Sequence, residues 1–474
     1  MKYESMLLSI VFVPLAGAFV LPFAGFISSR FRNFLALALV SASFIFSLKL
    51  LPQVITGQPV IVSHNFLLGF NSAFYADSFA LFMAMASSFI SAIIILYSFG
   101  YINHYKNQNE YYLMVVLFLG AMMGIVFSGN LIFLYIFWEI TAITSWRLIG
   151  FFREREHLLK ADKAFLVTVF GALVMLLGFI CIYQQTGTFD LKANLISNIA
   201  VALVLVGIFS KSATLPFHTW LPDAGVAPSP VTALLHAAIL VKIGLYVFAR
   251  LFIAVYSISP VWHTVVPVIA ALSSLVCAGA ALIETDLKRI IAYSTVSQIG
   301  FIFFGLAIGN EVGIIGGLLY ILMHGLAKAG LFLCAGIVEQ NTKVRDITKL
   351  GGLIKAMPVT AISFLLCAFS VMGIPPFGGF FSKYLVFSGA VESGQLAIAF
   401  VFLAGAFLTI AYLLRVFNLV FLGQEKSPSQ KEGDRLMVFS VATLAVLSLA
   451  GGIFISYLYN FAAISTTQML AMAK

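Results

Sequence analysis

Long apolar runs broken by brief polar punctuation dominate this sequence, and their lengths are those of membrane spans. A helix needs about 20 apolar residues to cross the hydrocarbon core, and runs of that length repeat along the whole chain. The pattern predicts fourteen transmembrane helices over 5–27, 33–51, 77–101, 111–128, 131–150, 161–185, 196–222, 230–256, 262–283, 289–308, 313–339, 358–390, 396–422 and 436–460. The seventh and twelfth are interrupted by proline. The expected fold is therefore an all-α integral membrane protein with discontinuous seventh and twelfth helices. Lys2 and the apolar run to Ala24 resemble a signal peptide, but because so many spans follow, this run is read as the first helix. The segment 52–76 (Gly57, Pro59, Gly69, Asn71) is expected as a longer mixed loop with room for short strands, and GQEKSPSQKEGDR (423–435) as a polar loop. No soluble domain is expected.

Composition agrees with the pattern. Of 474 residues 61% are hydrophobic and 9% charged, with a mean hydropathy of +1.06, whereas a soluble domain carries roughly 25% charged residues. The net charge of +9 is not a nucleic-acid signature, since no Lys/Arg run reaches the density of a basic arm. The positive charges fall on one side instead. Loops after odd-numbered helices hold Arg30, Arg32, Lys106, Arg153, Arg155, Lys160, Lys163, Lys288, Arg289, Lys343, Arg345, Lys349, Lys355, Lys426, Lys431 and Arg435, while loops after even-numbered helices hold only Lys49 and Lys192, with Arg250 at a helix end. By the positive-inside rule the odd loops are cytoplasmic and both termini lie outside, in a bacterial-type inner membrane. The four cysteines (Cys181, Cys277, Cys334, Cys367) form no C-x-x-C pair. They read as buried thiols rather than cluster ligands or disulfides, and no cofactor or metal is expected.

Two segments 160 residues apart share a pattern: Phe209, Ser210, Pro216 and Phe217 fall at the offsets of Phe369, Ser370, Pro376 and Phe377. Phe248-Ala249-Arg250 and Leu413-Leu414-Arg415 end comparable helices, and Lys163-Ala164 and Lys328-Ala329 sit at a similar separation. A duplicated unit of five helices accounts for these together. An odd number of helices inserts the two copies with opposite topology, an architecture of many transporters. The expected organisation is three N-terminal helices (1–110), a first repeat (111–256), a second repeat (257–422), and a loop with the last helix (423–474). Pro216, Pro375 and Pro376 supply helix breaks, since proline removes an amide donor and frees a carbonyl. Freed backbone at that depth is tolerable only beside protein or a water-filled cavity. Simple proline kinks are the alternative.

Few ionisable residues fall inside the spans, and each costs at least ~2.5–3.5 kcal/mol to insert. Glu139 lies mid-way along the fifth helix, and Lys211 lies five residues before Pro216. His236 and Lys242 are on the eighth helix, His324 and Lys328 on the eleventh, and Lys383 follows the second break. His324 and Lys328 are four apart and share a face. His236 and Lys242 are six apart, some 120° out of line, and so are expected to serve different neighbours. A Glu139–Lys211 pair could hold or release a proton according to its separation, and histidines between lysines suit a relay. For Lys242 or Lys383 alone the bland alternative is snorkelling to the interface, and for a lone histidine a satisfied structural hydrogen bond. Their recurrence at breaks and along long apolar helices favours a path for protons or sodium ions. Asp77, Asp162, Asp223, Glu284 and Asp286 read as loop, cap or gating residues.

The stretches FSKSATLPFHTWLPDAGVAPSPVTALLHAAILVKIGLY (209–246), ETDLKRIIAYSTVSQIGF (284–301), HGLAKAGLFLCAG (324–336) and IPPFGGFFSK (374–383) closely resemble the antiporter-like subunits of respiratory complex I, a family that includes Mrp antiporter subunits and membrane subunits of energy-converting hydrogenases. The resemblance covers roughly residues 75–460. It implies fourteen helices in two inverted five-helix repeats, forming half-channels joined by a polar axis. It also implies that Glu139 modulates Lys211, that protons pass through His236, Lys242, His324 and Lys328, and that Lys383 exchanges with the far side. Partners would be other membrane subunits, with any quinone or hydrogenase chemistry in them, and no nucleic acid. Lys383 departs from the subtype with glutamate at that break. Arg147 stands where the family usually has an apolar residue, either competing for Glu139 or snorkelling to the interface. The chain ends at Lys474, before the long lateral helix of the largest subtype. A self-sufficient solute transporter, with a roomy midplane pocket, and a purely structural subunit are the competing readings.

Overall fold

The computed structural model describes residues 2–65, 71–426 and 431–472, so Gly69 and part of the polar loop 423–435 lie outside the described residues. Two long helices, α1 (Lys2–Ile27) and α2 (Ser29–Ile55), are followed by an antiparallel hairpin of β1 (Val60–Asn65) and β2 (Asn71–Ala76). Then come α3 (Ser78–Tyr101), α4 (Gln108–Phe127), α5 (Leu131–Ile149) and α6 (Arg155–Thr186), and after the short β3 (Asn194–Leu195), α7 (Asn198–Lys211) and the single turn α8 (Trp220–Asp223). The eighth span is composite: α9 (Ser229–Ala233), a π segment Leu234–Ala238, α10 (Leu240–Ala249), a second π segment Arg250–Val255, then the short β4 (Tyr256–Ser257). The remaining helices are α11 (Trp262–Ile283), α12 (Leu287–Ala307), α13 (Glu311–Thr342), α14 (Pro358–Met372), α15 (Gly378–Glu392), α16 (Leu396–Phe421), α17 (Arg435–Ile453) and α18 (Ile455–Met472).

Among the described residues twelve helices are long and apolar enough to cross a membrane. The expected seventh and twelfth spans are not among them, because each is broken. The seventh stops at Lys211, eleven residues short of its expected end, and the twelfth splits into α14 and α15. Local chemistry sets many helix starts: side chains of Asp77, Asn130, Ser197, Asp286, Asn310 and Asp434 accept the first free amides of α3, α5, α7, α12, α13 and α17. Two further spans differ from expectation, one in continuity and one in extent. The eighth span was expected to be continuous over 230–256. The last helix was expected over 436–460, but α17 ends at Ile453 and α18 runs on to Met472. Its low hydropathy hid it, yet Ser465, Thr466 and Thr467 return their hydroxyls to carbonyls one turn back.

Loops after odd-numbered spans gather at one end. Arg32 donates to Asn109 and Gln108 at 2.5 and 2.7 Å, Arg289 reaches Asp223 and Glu284, and Arg345 donates to the Gly225 carbonyl. Loops after even-numbered spans gather at the other, where Phe74 bridges Ser128, Asn130 bridges Asp190 and β3 pairs with β4. The predicted alternation therefore builds two faces, a basic one and its opposite. Not every cation counted in the loops is in solvent, since Arg32 and Lys288 are each only 2% exposed.

Features of the backbone recur at a fixed spacing, as the sequence pattern does. Helices α6 and α13 are both 32 residues long, start and end 156 residues apart, and close on left-handed residues, Gly187 and Lys343. The Asn130–Asp190 bridge recurs as Asp286–Asp346, on the opposite face. At the breaks the offset is 160. Thr214 N–H donates to the Phe209 carbonyl and Ile374 N–H to the Phe369 carbonyl (2.9 and 3.0 Å), Ala213 and Gly373 have positive φ, and Leu215-Pro216 and Pro375-Pro376 are cis. Two of the sequence matches do not hold in register. At an offset of 156 Lys328 corresponds to Ala172 and Lys163 to Leu319. Arg250 and Arg415 also do different work: Arg250 pairs with Asp77, and Arg415 donates to the Leu282 and Glu284 carbonyls.

Burial decides which helices can carry a polar path. The windows of α12 and α13 are 94% buried and that of the eighth span 100%, against 28–39% for α1, α2, α6 and α16, which offer apolar flanks to lipid. Of the cysteines Cys277, Cys334 and Cys367 are free and buried as expected, whereas Cys181 is half-exposed.

Candidate functional site

The predicted residues fall into two groups. The first lies where α7 ends against α5. Lys211 is wholly buried and its Nζ donates to the Trp138 carbonyl at 3.3 Å, 5.2 Å from the indole centroid. Glu139 is the next residue, half-buried, with a buried Oε1 that has no hydrogen-bond partner. The carboxylate and ammonium are thus neighbours within electrostatic reach, and the lysine's hydrogen bond goes to the backbone one residue before Glu139. Arg147 is not in this group. It pairs with Glu110 in the first turn of α4, which also holds Arg153 at 2.5 Å, so it is carried away from Glu139 to the basic face.

The second group surrounds α13. The break at Ile239 (φ −129°, ψ −72°) and the π turn before it re-aim the eighth span, so that His236 and Lys242, expected to serve different neighbours, meet different residues of one helix, α13. His236 lies against Phe332 with ring centroids 4.5 Å apart. The Lys242 ammonium lies against Gly325, where any Cβ would collide with it. Phe332 and Gly325 are seven residues apart on α13, two turns on one face. Glycine at 325 is what lets the ammonium approach. Both nitrogens of His236, both of His324 and the Lys242 Nζ are buried without a protein partner. His324 is within electrostatic reach of Lys242, Lys328, Lys383 and His236, so five of the predicted residues converge.

Lys328 and Lys383 are anchored differently. Lys328 Nζ donates to the Ile291 carbonyl at 3.2 Å and to Ser294 Oγ at 2.5 Å. Lys383 Nζ donates to the Val371 carbonyl at 2.7 Å and lies 4.6 and 5.5 Å from the ring centroids of Phe301 and Tyr320. Val371 stands 160 residues after Lys211. The second lysine therefore reaches back across its break to the position that the first occupies directly. Neither Lys242 nor Lys383 snorkels.

Sequence reasoning missed the side chains that join these two lysines. Ser294 Oγ and Tyr412 OH are 2.6 Å apart, Tyr412 OH donates to Thr409 Oγ1 (3.3 Å), Gln298 Nε2 donates to Thr409 Oγ1 (3.1 Å), and Tyr320 OH donates to Gln298 Oε1 (2.5 Å). Their signal was faint: Tyr320 is four residues before His324, and Ser294 and Gln298 are four apart. Also missed was the Asp77–Arg250 pair, bidentate at 2.5 and 2.7 Å and sealed by Tyr246. A cavity of about 340 Å³ between α2, α3, α13, α17 and α18 is lined by Phe82, Met85, Phe89, Met323, Leu326 and Phe461 among other apolar side chains. It offers no polar group to orient a hydrophilic solute.

Known proteins carry the same fold. The family model described as "NADH:quinone oxidoreductase/Mrp antiporter, TM" matches residues 128–409. Na(+)/H(+) antiporter subunit A1 of Staphylococcus aureus strain bovine RF122 is 34% identical over 458 residues, covering 88% of this chain and 57% of that protein. The strain Newman subunit is 33% identical over 492 residues, covering 95% and 61%. The chain thus spans about three fifths of these relatives' length. The Mrp complex from Dietzia sp. DQ12-45-1b superposes with a TM-score of 0.90 at 24% identity over 100% of both chains. The membrane-bound sulfane sulfur reductase, an archaeal respiratory membrane complex, gives 0.90 at 24% over 98% and 97%. With more than half its length matched by the family model, this chain belongs to the NADH:quinone oxidoreductase/Mrp antiporter membrane family.

Proposed function

We propose that the chain is the ion-translocating, non-redox subunit of a multisubunit membrane complex, moving protons or sodium ions between its two faces. The observation that carries this reading is the convergence of Lys242, His324, Lys328, Lys383 and His236 on α13, with five ring or ammonium nitrogens buried and unpartnered. Buried polar atoms without partners cost free energy unless water or a passing ion serves them. A fold that keeps several in line is organised for transfer rather than for stability. In this reading Glu139 tunes Lys211, and His236, Lys242, His324 and Lys328 relay. Lys383 exchanges with the far side.

Pro216, Pro375 and Pro376 mark the breaks of two inverted five-helix units, 111–256 and 257–422, flanked by 1–110 and 423–474. The recurrence of one bridge on opposite faces supports the inversion. The basic face is read as cytoplasmic, which puts both termini outside a bacterial-type inner membrane.

For the driving reaction, a redox complex with quinone or hydrogenase chemistry in partner subunits is one reading. The 33–34% identity to Na(+)/H(+) antiporter subunits favours a second, an Mrp-type antiporter driven by ion gradients. A self-sufficient solute transporter would need a polar midplane pocket, which the cavity between α2, α3, α13, α17 and α18 does not supply. Vesicles carrying the intact complex test the core of the proposal: Lys211→Ala and Lys328→Ala are expected to abolish ion translocation with the complex still assembled. Unchanged translocation in both would refute it.

A further inference from the structure

The sequence pattern places Lys288 among loop cations and gives Glu339 no role, yet the structure pairs them at the basic end of the molecule, the lysine buried and the glutamate part-exposed. Lys288 Nζ is 2.7 Å from Glu339 Oε2 and donates to the Ala227 carbonyl at 2.9 Å. The lysine side chain is 2% exposed and the glutamate 24%. The other carboxylate oxygen takes Arg345 Nε at 2.7 Å, and Ser229 Oγ approaches Oε2 at 3.4 Å.

Stability is a poor explanation for this placement. Lys288 lies in the first turn of α12 and Glu339 in the last turn of α13, so each charge sits at the end of its helix where the macrodipole opposes it. A buried ion pair is weak evidence for stability even in a favourable field. A charge pair that breaks a local rule in a partly buried setting is a functional-site candidate.

What lies inward of the pair gives it a task. On α13, Glu339 and Phe332 are seven residues apart, about 10 Å of rise, and Lys328 lies four further in, about 6 Å. These spacings keep one helix face. His236 fills the interval, its ring tilted against Phe332 and within electrostatic reach of both Lys288 and Lys328. Along α13 a series therefore runs from the basic surface to the buried centre: Glu339 with Lys288 of α12, then His236 of the eighth span against Phe332, then Lys328 and His324.

We infer that Glu339 and Lys288 form the proton-delivery mouth at the basic face, where a proton taken from solvent by the Glu339 carboxylate is passed inward toward His236 while the Lys288 ammonium offsets the carboxylate's charge. The step moves one proton and breaks no other bond. This inference rests on the proposed translocation function and adds to it the point of access.

The test uses inverted membrane vesicles holding the intact complex, which expose the basic face if the orientation proposed above holds, with complex abundance read on native gels. Glu339→Gln removes the acceptor. Lys288→Met with Glu339→Gln removes the pair together, so that the buried lysine is not stranded and only the part-exposed Arg345 loses its carboxylate partner. Both are expected to slow translocation about a hundredfold, the low end of what a positioned proton-transfer group contributes. Imidazole buffer at the basic face is expected to restore much of the rate by delivering protons directly, and Lys328→Ala is expected to be lost without rescue. A loss that imidazole leaves untouched in both variants assigns the pair a purely structural role and overturns the inference. So does a wild-type rate in Glu339→Gln beside a dead Lys328→Ala, which leaves the translocation function standing. If Lys211→Ala and Lys328→Ala also run at the wild-type rate, both readings fall.

Discussion

Individual side chains make opposite bargains with burial here. Arg250 and Asp77 satisfy each other, so removing one partner strands a charge. Arg250→Ala should destabilise the folded chain by about 3–5 kcal/mol, while Arg250→Met with Asp77→Asn should recover most of that loss. Thermal denaturation of the detergent-solubilised complex distinguishes the two. Lys242 makes the other bargain, with no partner for its ammonium. Gly325→Ala adds a methyl where that ammonium lies. The methyl also crowds Ile90 Cδ1 and the Ala237 carbonyl, against which alanine's helix preference over glycine contributes about 1 kcal/mol, so abundance is measured beside the rate. Ion translocation should still fall about tenfold, the rate equivalent of roughly 1.4 kcal/mol. Vesicle assays normalised to abundance check this.

Helices and their connections show which features the sequence exposes. Span positions, the two breaks and the lysines beside them were legible, because twenty-residue apolar runs and proline have direct physical consequences. The re-aiming of the eighth span was not, since a π turn at His236 leaves no compositional mark. Arg147 was ambiguous for a related reason: the sequence could not show that α4 would present Glu110 beside it. The Ser294–Tyr412–Thr409–Gln298–Tyr320 chain joins three helices, and single-helix spacing reveals only fragments of it. The break also depends on its anchor. Burial pushes the Asp223 carboxyl up, but Lys163 and Arg289 pull it further down, to a pKa below the usual carboxylate value. A lowered folded-state pKa contributes stability that is complete above the unfolded value of about 4 and is lost as pH falls through the folded one. The gap in melting temperature between wild type and Asp223→Asn should therefore be constant near neutrality and shrink in acid. A gap that widens as pH falls from 5 to 3 would contradict the assignment.

Across the whole molecule the two faces are built alike but filled differently. The first break keeps Lys211 in place beside Glu139, while the second sends Lys383 back across to the equivalent position, and α13 lies between them carrying His324 and Lys328. The proposed passage of charge rests on this difference between the two breaks. The most direct test is ion translocation by vesicles containing the intact complex with Lys328→Ala, compared with wild type at equal assembled abundance. Loss of translocation with assembly unchanged is the expected result. Translocation at the wild-type rate would contradict it.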